Sequence, residues 1–509
     1  MGLARTACVA LLGVEGHLVE VEADLSAGLP GLALIGMPDA SLYEARDRVR
    51  AAVLNSGQPW PNQRITVGLF PAALPKSGTG YDVAVAVAVL AAQGQVPAES
   101  LTGRVLLGEL ALDGRLRPLP GVLPAVIAAA DAGFTRVIVP AENAIEAALV
   151  PGVVTEAVAS LRELVSFLRG ELELPERVVR CAAARAPEAQ LDLADVAGQA
   201  DGRLAMALAA AGGHHVLLQG PPGAGKTMLA ERLPGLLPAL DEREALEVTS
   251  VHSVAGVLAA GAALVTRPPF RSPHHTTSMA ALVGGGSRVL RPGAVSLAHR
   301  GVLFLDEAPE FSPRALDALR QPLESGVVEV SRAVGVARFP ARFTLVLAAN
   351  PCACGHATTR THALCTCAPA ARRRYLQRLS GPLLDRVDVR LPVHRVSRAE
   401  LRDDLACVEP TAVVAERVAR ARAAARRRYA GTPWNRNADV PGPQLRRCWP
   451  LPARTVREAD RALEAGQLSA RGVDRVLRMA WTLADLEGSP APGPAEVDTA
   501  LRLRLPVQS

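Results

Sequence analysis

Aromatic residues are scarce in this 509-residue chain, where Phe, Trp and Tyr together supply 3%. Its cores must therefore be filled by Leu, Val and Ala, and at 49% apolar the chain has enough of them. The length suits about three domains. No stretch approaches the run of about 20 apolar residues that crosses a bilayer, which argues against a membrane partner. The segment Met1 to Val14 is short and apolar with one Arg, but Glu15, Glu20 and Glu22 continue a strand-like alternation with no convincing cleavage site. A cytoplasmic protein is expected. A disulfide framework is missing too: of eight Cys, Cys8, Cys181, Cys407 and Cys448 are scattered and the other four sit in one cluster. Lysine is nearly absent, since of 56 basic residues only Lys76 and Lys226 are Lys. A chain that uses Arg almost everywhere draws attention to the places where it keeps a compact ammonium. The net charge of +6 permits a polyanionic partner without demanding one. No internal repeat is evident.

What is present is organised around Gln219-Gly220-Pro221-Pro222-Gly223-Ala224-Gly225-Lys226-Thr227. An apolar run, His215 to Leu218, precedes it, and a helical pattern from Met228 to Leu233 follows. Strand, glycine-rich loop and helix form the context of a phosphate-binding Walker A loop. Its backbone N–H groups would turn inward around phosphate oxygens, with the helix N-terminus adding positive potential. Lys226 would reach the β- and γ-phosphates of ATP, and Thr227 would hold Mg²⁺. About 80 residues later, Gly301-Val302-Leu303-Phe304-Leu305 ends in Asp306 and Glu307, a Walker B pattern. Asp306 would complete the Mg²⁺ shell and Glu307 would polarise the attacking water. A third apolar strand, Phe343 to Ala349, ends at Asn350, which suits a sensor 1 residue orienting that water. Together the three motifs resemble an AAA+ core.

Just beyond Asn350, Cys352-Ala353-Cys354 and Cys365-Thr366-Cys367 place four thiols close in sequence, enough to surround a structural Zn²⁺. The C-x-C spacing is tight, and His356 and His362 are alternative ligands. Free reduced thiols are the competing reading.

Residues 1–165 read as alternating strands and helices: a first hairpin through Val9–Leu12 and His17–Glu22, a helix over Ser41–Asn55, a strand at Arg64–Leu69, a buried helix over Asp82–Ala92, a strand-like run at Val105–Leu110, a helix over Val122–Ala132 and a strand at Arg136–Val139. Pro75-Lys76-Ser77-Gly78-Thr79-Gly80-Tyr81-Asp82 and Gly108-Glu109-Leu110-Ala111-Leu112-Asp113-Gly114-Arg115-Leu116-Arg117-Pro118 resemble the Lon-protease-type domain of the ribosomal S5 domain 2-like fold, an α+β domain. In that alignment Gly80 stands at the position of the proteolytic Ser and Leu123 at about that of the Lys. Neither can be a nucleophile or its base, so the resemblance implies the fold without peptidase activity. Ser77 beside Lys76 is in the wrong register for a dyad. Residues 166–190 read as a linker, 191–395 as the α/β ATPase core, and 396–509 as a helical lid.

In the later part, Leu379-Ser380-Gly381-Pro382-Leu383-Leu384-Asp385-Arg386-Val387-Asp388 resembles the arginine-finger segment of magnesium-chelatase and MCM-type AAA+ proteins. The resemblance implies that Arg386 enters a neighbouring subunit's site. Asp385 and Asp388 are its alternative partners. Leu468-Ser469-Ala470-Arg471-Gly472 resembles sensor 2, implying a γ-phosphate contact for Arg471, with Arg475 and Arg478 as weaker candidates. Arg267–Ser278, Gly284-Gly285-Gly286 and Pro292–His299 are similar to the YifB/ComM family of magnesium-chelatase-like ATPases, and the likeness runs over essentially the whole chain. It implies a hexameric ring, DNA as partner, and branch migration during natural transformation. Ala294 departs from the family, which usually has an acidic residue there. His274 and His275 read as loop or interface residues. By position, Glu329 to Phe339 is the pre-sensor 1 hairpin, where Arg332 and Arg338 could track a DNA backbone. Two further Arg groups, Arg372, Arg373, Arg374 and Arg378, then Arg417, Arg420, Arg422, Arg426, Arg427 and Arg428, are either phosphate anchors or solvated faces. The alternative function is a chelatase-like motor that remodels a protein partner for metal insertion without DNA.

Overall fold

A computed structural model describes residues 2–505, apart from 38–39, 77, 175–190, 259–263, 287–289, 333–334, 358–364, 398 and 401–407. Ser77, Cys181, His362, Cys407 and residues 175–190 of the expected linker lie outside the described residues.

The first part of the chain is a seven-stranded sheet. Its strands run Gly31–Ile35, Arg64–Phe70, Glu15–Ser26, Gly2–Leu12, Arg104–Leu106, Arg136–Pro140 and Val154–Val158 in spatial order. The central pair, Gly2–Leu12 and Glu15–Ser26, is an antiparallel hairpin. Gly13, at φ 69°, sits at its turn, in a backbone region that favours glycine. After Asp82, which is ion-paired to Arg48, helix Asp82–Ala92 is apolar all round, and its residues through Leu90 are buried, as the pattern requires of a helix inside a core. Helix Ala40–Asn55 lies beside it, and helix Leu161–Leu168 carries the same core through to Leu168. The run expected as one strand over Val105–Leu110 is two, Arg104–Leu106 and Glu109–Leu110. Leu107 and Gly108 separate them, and Gly108 packs so close to the start of the buried helix that a Cβ there would meet Val83 Cγ2 at 2.6 Å.

The central sheet has five strands in the order Phe270–Arg271, Val302–Leu305, Thr344–Ala349, Val216–Gln219 and Val389–Pro392. Every pairing is parallel. Such sheets are covered on both faces, which is why the three inner strands, Val302–Leu305, Thr344–Ala349 and Val216–Gln219, read as apolar runs. One face packs on helices Ala200–Gly212 and Lys226–Leu236 and on the C-terminal helices. Those C-terminal helices are Thr411–Arg428, Gly442–Cys448, Ala453–Glu464, Ala470–Glu487 and Pro494–Arg504. The other face carries Leu303, Leu305, Leu345 and Leu347 into a separate core with Phe311, Phe339 and Phe343. A hairpin of Val327–Arg332 and Gly335–Pro340 stands on that side. The N-terminal sheet touches it: Gly13 bridges Arg338 through the backbone, and a Cβ on Gly13 would meet the Arg338 carbonyl at 2.6 Å.

Candidate functional site

Three strands end side by side, and the loops after them form one site. Val216–Gln219 delivers the loop from Gly220 to Gly225, Val302–Leu305 delivers Asp306 and Glu307, and Thr344–Ala349 delivers Asn350. Ligand sites of parallel sheets form at these carboxyl ends. The Gly220 N–H donates to Ala349 O at 3.0 Å, which ties the first loop to the third. Gly223 and Gly225 hold φ of 73° and 92°, so the loop turns its amides inward before helix Lys226–Leu236 begins. Pro221, Pro222 and Ala224 complete the curve, with Ala224 buried.

Lys226 is 8% exposed. Its ammonium donates to the carbonyls of Gly220 at 2.7 Å and Pro221 at 3.0 Å, and to Asn350 Oδ1 at 3.0 Å. Desolvation pushes its pKa below the ordinary lysine value, opposed by Asp306 and Glu307. Thr227 Oγ1 donates to Asp306 Oδ2 at 3.1 Å, so the two expected Mg²⁺ ligands already face each other. The Glu307 N–H donates to Asp306 Oδ1 at 2.8 Å. Glu307 itself has φ 48°, a left-handed conformation that costs a non-glycine residue about 1 kcal/mol or more. Its carboxylate lies 3.4 Å from His275 Nδ1. The His275 ring lies 4.1 Å from that of His274, tilted by 33°, and His274 Nδ1 is 2.8 Å from Thr276 Oγ1. From sequence His275 is a loop or interface residue; nothing local in it says that its loop turns back over Glu307.

Arg386 and Arg471 stand elsewhere. Both line a cavity of about 630 Å³ whose wall includes His215, Gly301, Thr344 and Asp388. Those residues lie at the amino ends of the parallel strands, the opposite edge of the sheet from Lys226. A four-residue strand spans about 13 Å. Arg386 is ion-paired to Glu324 and donates to Pro382 O. Its pKa is lowered by burial and by Arg320, Arg475 and Arg471. Arg475 is paired to Asp388, and Arg478 is largely desolvated, which lowers its pKa. Asp388 is a residue whose weight the sequence did not show. It is buried, and it accepts from the His215 N–H at 3.2 Å and meets His214 Nδ1 at 3.3 Å. Burial raises its pKa, but Arg475 and His214 outweigh that and hold the carboxyl well below its ordinary range.

The remaining candidates divide. Arg338 pairs with Glu329 across the hairpin at 2.9 Å. The backbone of Arg332 pairs with Gly335; its side chain, like Ala333 and Val334, lies outside the described residues. On the long C-terminal helix, Arg428 pairs with Asp485 and sits 4.2 Å over the Trp481 ring, while Arg422 donates to Ala210 O at 2.8 Å. Those two hold the fold, whereas Arg426 and Arg427 are exposed, as are Arg373 and Arg374. The four clustered thiols do converge, with all Sγ atoms of Cys352, Cys354, Cys365 and Cys367 within 4.8 Å of one another, a set that could hold a metal ion. In the N-terminal domain Leu123 is fully buried. Lys76 is buried too, and its ammonium donates to Gly36 O at 3.0 Å and to Pro71 O. It clips two loops together.

Comparison with known proteins agrees along the chain. The family described as magnesium chelatase, subunit ChlI, matches residues 192–401. The related descriptions, subunit ChlI of Mg-chelatase and subunit ChlI C-terminal, match residues 21–143 and 408–504. The chain is 43% identical to competence protein ComM of Haemophilus influenzae over 491 residues, covering 96% of this chain and 94% of that protein. It is 42% identical to YifB of Escherichia coli over 489 residues, again 96% and 94%. A weaker likeness, 28% over 185 residues, links 35% of this chain to 23% of a Lon protease from Mycolicibacterium smegmatis.

Proposed function

From a chain that belongs to the magnesium-chelatase-like family of ComM and YifB, we propose a ring-forming ATPase that couples hydrolysis to movement on DNA, most simply branch migration. One observation carries the ATPase part: Lys226, Thr227, Asp306, Glu307 and Asn350 meet at the ends of three adjacent strands, with Lys226 bonded to Asn350 and Thr227 to Asp306. ATP and Mg²⁺ fit that donor set. The loop amides and Lys226 would hold the phosphates. Thr227 and Asp306 would hold Mg²⁺, which neutralises developing charge when bound. Glu307 would take the proton of the attacking water, with Asn350 orienting that water.

Arg386 and Arg471 lie at the far edge of the sheet, so the phosphates they serve are those of the next protomer. That supports a closed ring, most simply a hexamer, in which each site is completed by its neighbour. The DNA part is supported by the likeness to a competence protein, by the net charge of +6 and by the exposed Arg338.

Phosphate release with and without a four-way DNA junction tests this reading. Stimulation by the junction, lost as salt is raised, is the expected result. The three matches to chelatase subunit ChlI favour a second reading, a motor that remodels a protein partner without DNA. Hydrolysis indifferent to every DNA form would support that reading and refute the first.

A further inference from the structure

Cys352, Cys354, Cys365 and Cys367 are free thiols, and the first is fully buried. Their Sγ separations are 3.2 Å for Cys352–Cys354, 3.8 Å for Cys352–Cys365 and 3.6 Å for Cys354–Cys365. None is a disulfide distance, which would be about 2.05 Å. A tetrahedral tetrathiolate with Zn–S bonds of about 2.3 Å has edges of about 3.8 Å, close to two of these three. Neutral thiols gain little from each other as donors, whereas a metal gives four sulfurs a reason to meet. An iron–sulfur cluster would need its ligands spread around several metal atoms. The spacing here suits one ion.

The site is welded to the nucleotide loops. Cys352 follows Asn350 by two residues, and Asn350 bonds Lys226. Gly355, at φ 78°, lies so close to Pro222 of the phosphate loop that a Cβ there would approach its ring to 2.7 Å. On the other side, Cys367 O accepts from Arg372 Nε at 3.1 Å, in the helix Pro369–Gln377. That helix leads to the segment carrying Arg386.

We propose that these four cysteines bind one Zn²⁺, which fixes Asn350 and Pro222 against each other and so sets the rate of hydrolysis rather than the affinity for nucleotide. Binding converts four thiols to thiolates and releases their protons. With four sulfur ligands the ion has no open position, so it acts by bracing. The coupling to hydrolysis rests on the ATPase reading above; the metal site does not.

The experiment uses the full chain. Elemental analysis should find one zinc per chain, and cobalt exchange should give the absorption of a tetrahedral tetrathiolate. Cys365→Ser and Cys367→Ser should each lose the metal. They should lower kcat about 10- to 100-fold while nucleotide affinity changes less than about threefold. If a variant folds poorly, stripping the wild-type protein with a mercurial and restoring zinc should turn hydrolysis off and on again. A metal-free purified chain that takes up no cobalt overturns the site, and iron in place of zinc overturns the choice of ion. Zinc-free variants with full kcat overturn the coupling. A chain that holds zinc but never hydrolyses ATP leaves the metal site standing and refutes the ATPase reading instead.

Discussion

At the scale of single residues, the ammonium of Lys226 has no substitute. It is buried and spends three hydrogen bonds on Gly220, Pro221 and Asn350, a set of acceptors around one point charge rather than a planar fork. Both Lys226→Ala and Lys226→Arg should cut phosphate release by about a hundredfold or more, a loss read directly in a steady-state assay. The near-absence of Lys elsewhere made this position legible from sequence, and it marked Lys76 as well. There the same logic led to a different outcome, since among the described residues the Lys76 ammonium bonds backbone carbonyls, those of Gly36 and Pro71. His275 was not legible, because its value lies in a loop geometry that brings it 3.4 Å from Glu307. Removing it frees a carboxylate that already sits on strained backbone. We expect His275→Ala to change kcat several-fold with little change in KM, and His275→Gln, which keeps a donor, to restore much of it. Equal changes in both parameters would mean that His275 serves binding instead.

At the scale of elements, the three central parallel strands and their loops were readable because each is an apolar run closed by a motif, whereas the outer strands Phe270–Arg271 and Val389–Pro392 each carry an Arg and were not. The short strands Gly31–Ile35 and Val154–Val158 were not legible, nor was the break at Leu107–Gly108 in one expected strand, where the close approach of the buried helix to Gly108 is visible only in three dimensions. Asp388 belongs here as well. It joins the last strand of the central sheet to the helix Ala470–Glu487 through Arg475, with His214 and His215 beside it. Asp388→Asn should leave Arg475 without its counter-charge and destabilise the junction by about 3–5 kcal/mol, measurable by denaturant unfolding.

The same junction should be acid-sensitive. Desolvation pushes the His215 imidazole down to about 4, although Asp388 opposes it, and its Nδ1 accepts from the Leu345 N–H at 3.0 Å. The unfolded chain therefore binds the proton more readily than the folded one. Stability from this group is complete above about pH 6.5 and drains away as pH falls toward 4. Asp388, whose folded pKa is also depressed, adds loss in the same direction below about pH 4. Melting temperatures across pH 7 to 4 should fall, and a rise over that window would contradict the assignment.

At the scale of the whole molecule, the two groups of residues proposed to act on ATP lie on opposite edges of one sheet. Lys226, Thr227, Asp306, Glu307 and Asn350 lie at the carboxyl edge; Arg386 and Arg471 line the cavity at the other. The sequence carried every one of these residues but could not tell which shared an edge. The N-terminal sheet meets the hairpin at Arg338 through Gly13, which places that domain where it can sense the element expected to meet DNA. Arg338→Ala should weaken junction binding and reduce its salt dependence by about one phosphate contact, with hydrolysis in the absence of DNA little changed.

Subunit mixing tests the division between edges most directly. Lys226→Ala loses the phosphate grip but keeps its arginines, and Arg386→Ala keeps the grip but loses the arginine offered to a neighbour. Each variant alone should be inactive. Mixed rings should regain hydrolysis, because some interfaces pair an intact loop with an intact Arg386. Mixed rings that form and stay inactive, or an Arg386→Ala protein that turns over ATP at the normal rate, would contradict the account.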